Sequence, residues 1–224
     1  MKNKIIMGVA LVAALTGGGA ASAETLSGPL AGYYRDSGMA TGGSVGNNHT
    51  TGFFAGKDHR GYFVYNIPTG EPITGATLSV NAALVLNGPN TLQVYDVTTS
   101  PETVVSFAPN VEIYNDLGTG VLYGTAVATT DRQTLTVTLN ADAISAINAA
   151  RGKSFALGFS IPKGNSGEDH TVFLASYDPT PRDLILSRAA PTPVPTMTEW
   201  AMIILGTMLA GGAALYIQRR RLSV

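Results

Sequence analysis

The chain has 224 residues, no cysteine and a formal net charge of −1, which excludes a disulfide framework, a thiolate metal site and a cysteine nucleophile. Residues 24–190 contain nine Lys and Arg against 14 Asp and Glu, so this segment carries a net charge of −5. Proteins that bind nucleic acid present basic surfaces, and we therefore expect no nucleic-acid partner.

The first 23 residues have the three parts of a secretory signal peptide. Two lysines precede an apolar run over residues 5–15, and the small residues Ala21 and Ala23 precede a cleavage site. The apolar run is too short to span a bilayer comfortably, which disfavours a retained anchor. We expect an N-terminal signal helix that signal peptidase removes, so that the mature, exported protein begins at Glu24.

Alternation of apolar and polar side chains predicts strands through the middle of the chain. It is clearest in residues 76–84, 133–139 and 154–161, whereas residues 62–67 are apolar on both faces, as in a central strand. Further candidate strands are residues 91–97, 121–127, 172–175 and 184–186. The turn sequence Asn87-Gly88-Pro89-Asn90 predicts a hairpin between the strands on either side of it.

One amphipathic helix is predicted between two of these strands. Asn140 can cap it, Asp142 lies in its first turn, Ile144 and Ile147 face inward, and Gly152 ends it. We expect this helix to cover one end of the body.

The spacing of short strands and turns predicts the fold class. Residues 24–190 are long enough to bury a core as one domain. Eight or more short strands favour a mainly β fold, an antiparallel β-sandwich of jelly-roll type with one short helix.

Two short motifs resemble catalytic or phosphate-binding sequences. Residues 42–46 (GGSVG) match the G-x-S-x-G pattern of hydrolases, but no strand is predicted before them and no helix after them. Residues 152–154 (GKS) follow a helix and precede a strand, the reverse of a phosphate loop. The acidic residues lie mostly in turns, so we expect no catalytic residues, and a secreted hydrolase is a remote alternative.

Acidic and amide side chains in the polar loops could bind calcium, whose ligands are oxygens. No EF-hand spacing supports such a site, and we expect no metal or other cofactor, with calcium left open. The candidate ligands are Asn47, Asn48, Asp58, Glu168 and Asp169.

Aromatic residues near predicted loops and strand ends could form a platform that stacks on sugar rings, although aromatics also close the ends of β-sandwich cores. The candidates are Tyr33, Tyr34, Phe53, Phe54, Tyr114 and Tyr177.

The C-terminal tail has three parts. Residues 191–199 form a Pro-rich linker, and residues 200–217 contain no charge and span about 27 Å as a helix. Residues 218–224 form a basic end with Arg219, Arg220 and Arg221. Because arginines stay in the cytoplasm, we expect a transmembrane helix with the body outside the inner membrane.

Residues 194–200 (VPTMTEW), followed by the apolar helix and the arginines, resemble an IPTL-CTERM sorting signal, a relative of the PEP-CTERM tail. Pro195, Thr196 and Trp200 match the family motif, in which Val194 and Met197 are conservative departures. The resemblance implies recognition by an exosortase-type enzyme, with cleavage near the motif. The sorting residues are Val194, Pro195, Thr196, Met197, Glu199 and Trp200.

The body also carries several short motifs in a characteristic order, including Gly32-Tyr33-Tyr34, residues 46–52 (GNNHTTG) and residues 60–65 (RGYFVY). In this order it resembles an extracellular β-sandwich of PEP-CTERM-type bacterial proteins. The resemblance implies a fold and a setting, and it carries no catalytic residues.

The sequence therefore predicts an exported, non-enzymatic protein of a Gram-negative bacterium. We expect a precursor tethered in the inner membrane, and then a component of the cell surface or of an exopolysaccharide or biofilm matrix. A carbohydrate-binding module that recognises matrix glycan is the alternative.

Overall fold

The computed structural model describes residues 22–42, 49–162, 169–174, 182–190 and 197–222. The predicted signal peptide up to Ala21 and the linker residues 191–196 therefore lie outside the described residues. The chain divides into two units, a body within residues 21–189 and a second unit that contains the tail helix.

The described part of the body contains twelve strands, and all of their pairings are antiparallel, which confirms the prediction of a mainly β, antiparallel fold. The strands are β1 Ala23–Leu26, β2 Leu30–Arg35, β3 Ala40–Gly42, β4 His49–Phe54, β5 Lys57–Asn66, β6 Ile73–Leu86, β7 Asn90–Tyr95, β8 Leu122–Ala128, β9 Gln133–Thr138, β10 Ser154–Ser160, β11 His170–Leu174 and β12 Arg182–Arg188.

All twelve strands belong to one hydrogen-bonded sheet, so the predicted division into the two sheets of a sandwich is not confirmed. The order is β1-β12-β6-β11-β4-β5-β10-β7-β8, with β9 on β6, β2 on β5 and β3 on β2. The sheet is continuous because β6 is long. Its 14 residues pair with β12 over their first part and with β11 over their last part. This strand joins regions that a sandwich would separate.

The sheet curls around one apolar core. Buried residues of β5, β7 and β10 pack in the same cluster as those of β6, β9 and β12, and Phe63 meets Phe159 edge-to-face at 4.7 Å between ring centroids. Strands β8 and β9 also lie close together, although no ladder joins them in the described sheet. A Cβ on Gly124 would lie 2.6 Å from Cγ1 of Val137, so this approach requires glycine. The curled sheet thereby shields most of its inner face.

The alternation that predicted β6 holds over most of its length. Ala76, Leu78, Val80 and Ala82 are buried, but Leu84 is 38% exposed although it was expected on the same face. The pairing with β11 shifts by one residue at this point, and such a bulge reverses the side-chain alternation.

The predicted hairpin at residues 87–90 is wrong. Strand β6 pairs with β9, β11 and β12, whereas β7 pairs with β8 and β10. Next to the turn, β6 pairs with β11, and the Val85 N–H donates to a carboxylate oxygen of Asp131 at 2.7 Å, so the chain crosses to another part of the sheet. The side chain of Asn90 fixes the crossing, because its Nδ2 donates to the carbonyl oxygens of Leu86 at 2.8 Å and Thr171 at 3.2 Å.

The predicted helix is confirmed as α3, Ala141–Ala149. The Asn140 side chain accepts a hydrogen bond from the Ala143 N–H at 3.0 Å, and Ile147 is fully buried. Ile144 is half-buried and packs against the main core.

Two further short helices were not predicted, α1 Pro101–Val104 and α2 Val111–Asp116. They cover the outer face of β2, β5 and β10 and form a second apolar cluster there. Its buried members are Tyr34, Tyr62, Val64, Val104, Ile113, Tyr114, Leu117 and Ala156.

The tail contains a single 26-residue helix, α4, Met197–Leu222. Its segment Trp200–Arg220 is the one described helix that is long and apolar enough to cross a membrane, and none of that segment is buried within the protein.

Candidate functional site

The apolar segment of α4 is built to lie in a bilayer. Its 21 residues extend about 31 Å at ~1.5 Å per residue, close to the ~30 Å hydrocarbon thickness. Its large apolar side chains are exposed, with Met208 at 69% and Leu209 at 66%. Trp200 and Tyr216 lie near its two ends, where amphipathic rings favour the membrane interface. Arg219 and Arg220 are exposed at its C-terminal end.

The sorting motif precedes this segment. Val194, Pro195 and Thr196 lie outside the described residues, whereas the backbone of Met197 to Glu199 is already helical. The linker was expected to continue to Glu199, so α4 begins three residues early. Residues after Pro195 can enter the helix because proline restricts only its own position and the residue before it.

The predicted signal-cleavage site adjoins a partly buried ion pair that the sequence did not indicate. Ala23 is paired with Ser187, and Arg188 lies 2.7 Å from a carboxylate oxygen of Glu24. Arg188 is 8% exposed, and its Nη1 also donates to the Glu71 carbonyl at 2.7 Å. Glu24, the expected first mature residue, therefore neutralises a buried cation.

His49 is the most deeply buried of the three histidines. It is fully buried, and burial, followed by the positive charge of Arg182, lowers its pKa to about 3. Nη1 of Arg182 lies 3.2 Å from its Nε2, while its Nδ1 has no partner among the described residues. The neutral ring meets Phe63 edge-to-face. His49 is thus part of the core.

The other two histidines pack against aromatic rings. His59 lies 5.2 Å from Tyr33, and burial, followed by the charge of Arg35, lowers the pKa of its imidazole. His170 stacks on Phe53 at 5.9 Å between centroids. His59 and His170, each of which follows an aspartate in the sequence, therefore lie in packed surroundings.

The calcium candidates are only partly described. Asn47, Asn48 and Glu168 lie outside the described residues. Asp58 accepts hydrogen bonds from the Tyr114 hydroxyl at 2.6 Å and the His59 N–H at 3.0 Å, and Asp169 accepts one from the Ala55 N–H at 2.9 Å. No group of three or more potential His, Asp or Glu ligands occurs within the described part of the chain.

Burial removes two of the candidate aromatics from the predicted sugar platform. Tyr34 is fully buried and Tyr114 is 7% exposed, so these two aromatics belong to the second core, and burial raises the pKa of both hydroxyls. The guanidinium of Arg60 lies 4.3 Å from the Tyr114 ring centroid. Tyr177 lies outside the described residues. Tyr33, Phe53 and Phe54 are half-buried.

Of the two short motifs, only residues 152–154 are described in full. Residues 43–46 lie outside the described residues, and the short strand β3 leads into them, contrary to expectation. The Gly152 N–H donates to the Ile67 carbonyl at 2.8 Å, and the Lys153 N–H to the Ala150 carbonyl at 2.9 Å. Because these amides are already paired, residues 152–153 do not present them to a phosphate.

The comparison with protein families concerns the tail. Residues 192–221 match the model of the IPTL-CTERM motif. No curated protein matches the chain. The match confirms the sorting signal suggested by the sequence and implies processing by an enzyme of the exosortase type. With the apolar helix, it indicates a membrane-anchored precursor destined for export. The resemblance of the body to a known sandwich family stays a prediction.

Proposed function

We propose that this protein is a non-enzymatic component of the surface or extracellular matrix of a Gram-negative bacterium. The observation that carries the proposal is the IPTL-CTERM match over residues 192–221, which coincides with the exposed apolar helix α4.

The route follows from the two ends of the chain. Signal peptidase releases the N-terminus at Glu24, and α4 holds the precursor in the inner membrane with Arg219, Arg220 and Arg221 in the cytoplasm. An exosortase-type enzyme then cuts near residues 194–197. The body leaves the membrane and joins the exopolysaccharide or biofilm matrix.

The described contacts of the body support a structural role. Three polar groups among the described residues hold the fold: His49 packs on Phe63, Asp58 binds the Tyr114 hydroxyl, and Arg188 binds Glu24. No catalytic constellation is needed to account for them. The secreted hydrolase remains a remote alternative.

A second candidate function is recognition of matrix glycan by the body. It is favoured by the half-buried ring of Tyr33, which lies beside His59 with the Arg35 guanidinium 6.0 Å from its centroid. Such a ring could stack on a sugar, with the guanidinium as hydrogen-bond donor. Binding of the exported protein to a glycan array, lost in Tyr33→Ala and kept in Tyr95→Ala, would favour this reading, and hydrolysis of an arrayed glycan would favour the enzyme.

The primary proposal is tested on the native protein. Cells are fractionated into inner membrane, surface and matrix polysaccharide, and the intact mass and N-terminal sequence of the protein are measured in each fraction. We expect the matrix form to begin Glu-Thr-Leu-Ser-Gly and to lack residues 200–221. A matrix or surface form that begins at Met1, or that keeps residues 200–221, would contradict the proposal.

A further inference from the structure

The first strand of the body lies at an edge of the sheet. Strand β1 pairs with β12 alone, at the end of the sheet order. Two of its side chains point toward the body: Glu24 is 35% exposed and binds Arg188, and Leu26 packs partly buried against the main core. After cleavage at Ala23, only three residues of β1 remain.

The acceptor site for β1 is organised without β1. Arg188 is held by the carbonyl oxygens of Glu71 at 2.7 Å and Pro68 at 3.3 Å, which come from the loop before β6. If β1 left, the buried guanidinium would lose its only carboxylate among the described residues, and the edge of β12 would be unpaired. This edge therefore selects an extended segment with a carboxylate and, two residues later, an apolar side chain.

The connection from β1 to β2 can act as a hinge. It consists of Ser27, Gly28 and Pro29, of which the first two are exposed. Gly28 has φ +66°, and no atom lies within 4 Å of the position its Cβ would occupy. Glycine adopts this backbone region without strain, so a change of conformation at Gly28 disturbs no packed neighbour, whereas the buried Pro29 stays with the body.

We propose that β1 of one copy occupies the β12 edge of a second copy of this chain, so that exchanged strands link neighbouring molecules. The inference rests on the proposed export, since signal cleavage frees the N-terminal end of β1. Exchange remakes the same backbone ladder and the same Glu24–Arg188 pair, so few contacts distinguish the closed and exchanged forms. The short hinge favours the closed form in dilute solution, and crowding at a surface or in a matrix favours exchange.

The absence of native cysteine gives a direct test. Thr25 and Ile185 are directly opposite in the β1–β12 ladder and point away from the core, and opposite positions in antiparallel strands suit a disulfide. Full-length Thr25→Cys and Ile185→Cys chains with different tags are co-expressed, and the surface fraction is oxidised. We expect a heterodimer that links the two tags. Thr25→Cys with Thr136→Cys, an exposed threonine on β9, should give little heterodimer.

The double variant Thr25→Cys/Ile185→Cys in one chain is the second measurement. If it closes within single chains while the mixture gives no heterodimer, β1 stays in its own copy and the proposal is wrong. If the double variant forms neither link, β1 is not docked on β12 in the exported protein, which also overturns it. If strand exchange occurs but the matrix role is wrong, the heterodimer will form in the surface fraction and the protein will be absent from the matrix fraction.

A peptide of residues 24–30 provides the test of specificity. Added before oxidation, it should compete for the β12 edge and lower the yield of heterodimer. The same peptide with Glu24→Gln should require about a tenfold higher concentration for equal inhibition, because it leaves the buried Arg188 without a carboxylate. Equal potency of the two peptides would refute the role of Glu24 in recognition.

Discussion

The body and the tail helix use similar apolar residues in opposite ways. In the body, Leu78, Leu92 and Leu157 are fully buried by other parts of the chain, whereas Leu205 and Leu209 of α4 are 56% and 66% exposed. The body supplies its own apolar surroundings, and α4 requires a bilayer to supply them. Hydrophobic residues thus stabilise the fold in one region and determine location in the other.

Loss of processing is the largest effect that we expect. Changing Pro195 and Thr196 together to Ala should leave a membrane-bound, uncut protein, because the motif no longer presents its recognised side chains in an extended segment. The intact mass of the protein in the membrane and surface fractions provides the measurement. Thr198→Ala, at a variable position of the motif, is the control and should be processed normally. Normal cutting of the double variant would show that the match is not functional.

The arginines at the end of α4 should fix its orientation. Each costs about 2.5–3.5 kcal/mol to move to the bilayer centre on insertion scales. Changing Arg219, Arg220 and Arg221 to Ala should therefore weaken topology and retention while leaving the body folded. Protease accessibility of the C-terminus in spheroplasts reports the orientation. Unchanged topology would mean that the apolar segment alone determines it.

A matched pair of leucines makes the comparison quantitative. Leu157→Ala should lower the free energy of unfolding of the body by about 2–5 kcal/mol, because the residue is fully buried and its truncation leaves a cavity. Leu209→Ala should change it by less than about 0.5 kcal/mol, the usual range for exposed positions. The effect of Leu157→Ala is measured by urea unfolding of the 24–190 fragment, which we expect to fold alone. The effect of Leu209→Ala is measured by urea unfolding of the full chain in detergent.

The stability of the body should fall with acid. The pKa of His49 is lowered from 6.5 to about 3 in the folded state, so the unfolded state binds more protons between these values. Stability is greatest above pH 6.5 and should decrease by about 2 kcal/mol from pH 7 to pH 5, with His59 acting in the same direction. Urea midpoints at the two pH values test this. His49→Gln should remove most of the dependence, and an unchanged dependence would refute the assignment.

Removal of divalent metal should have the smallest effect. Asp58 and Asp169 already accept hydrogen bonds within the body. Chelator should therefore shift the melting temperature of the body very little. A large decrease that calcium reverses would show a site that involves the loop carboxylates, by mass action.

The accuracy of the sequence predictions depended on how local the signal was. The cap at Asn140, the alternation in β9 and β10 and the apolar segment of α4 are encoded in consecutive residues, and each was found within a few positions. Strands β1 to β4 were missed because they are short or contain few alternating pairs. Helices α1 and α2 have four and six residues, too few for a visible period.

For this protein, the sequence by itself determined the sorting signal, the apolar span and the mainly β class, because motif, span length and side-chain period act over adjacent residues. Only the tertiary structure decided the single curled sheet, the crossing at residues 87–90 and the burial of His49. It also brought Glu24 to Arg188, 164 residues away. These features depend on pairing and packing between residues far apart in the chain, which no pattern in adjacent residues encodes.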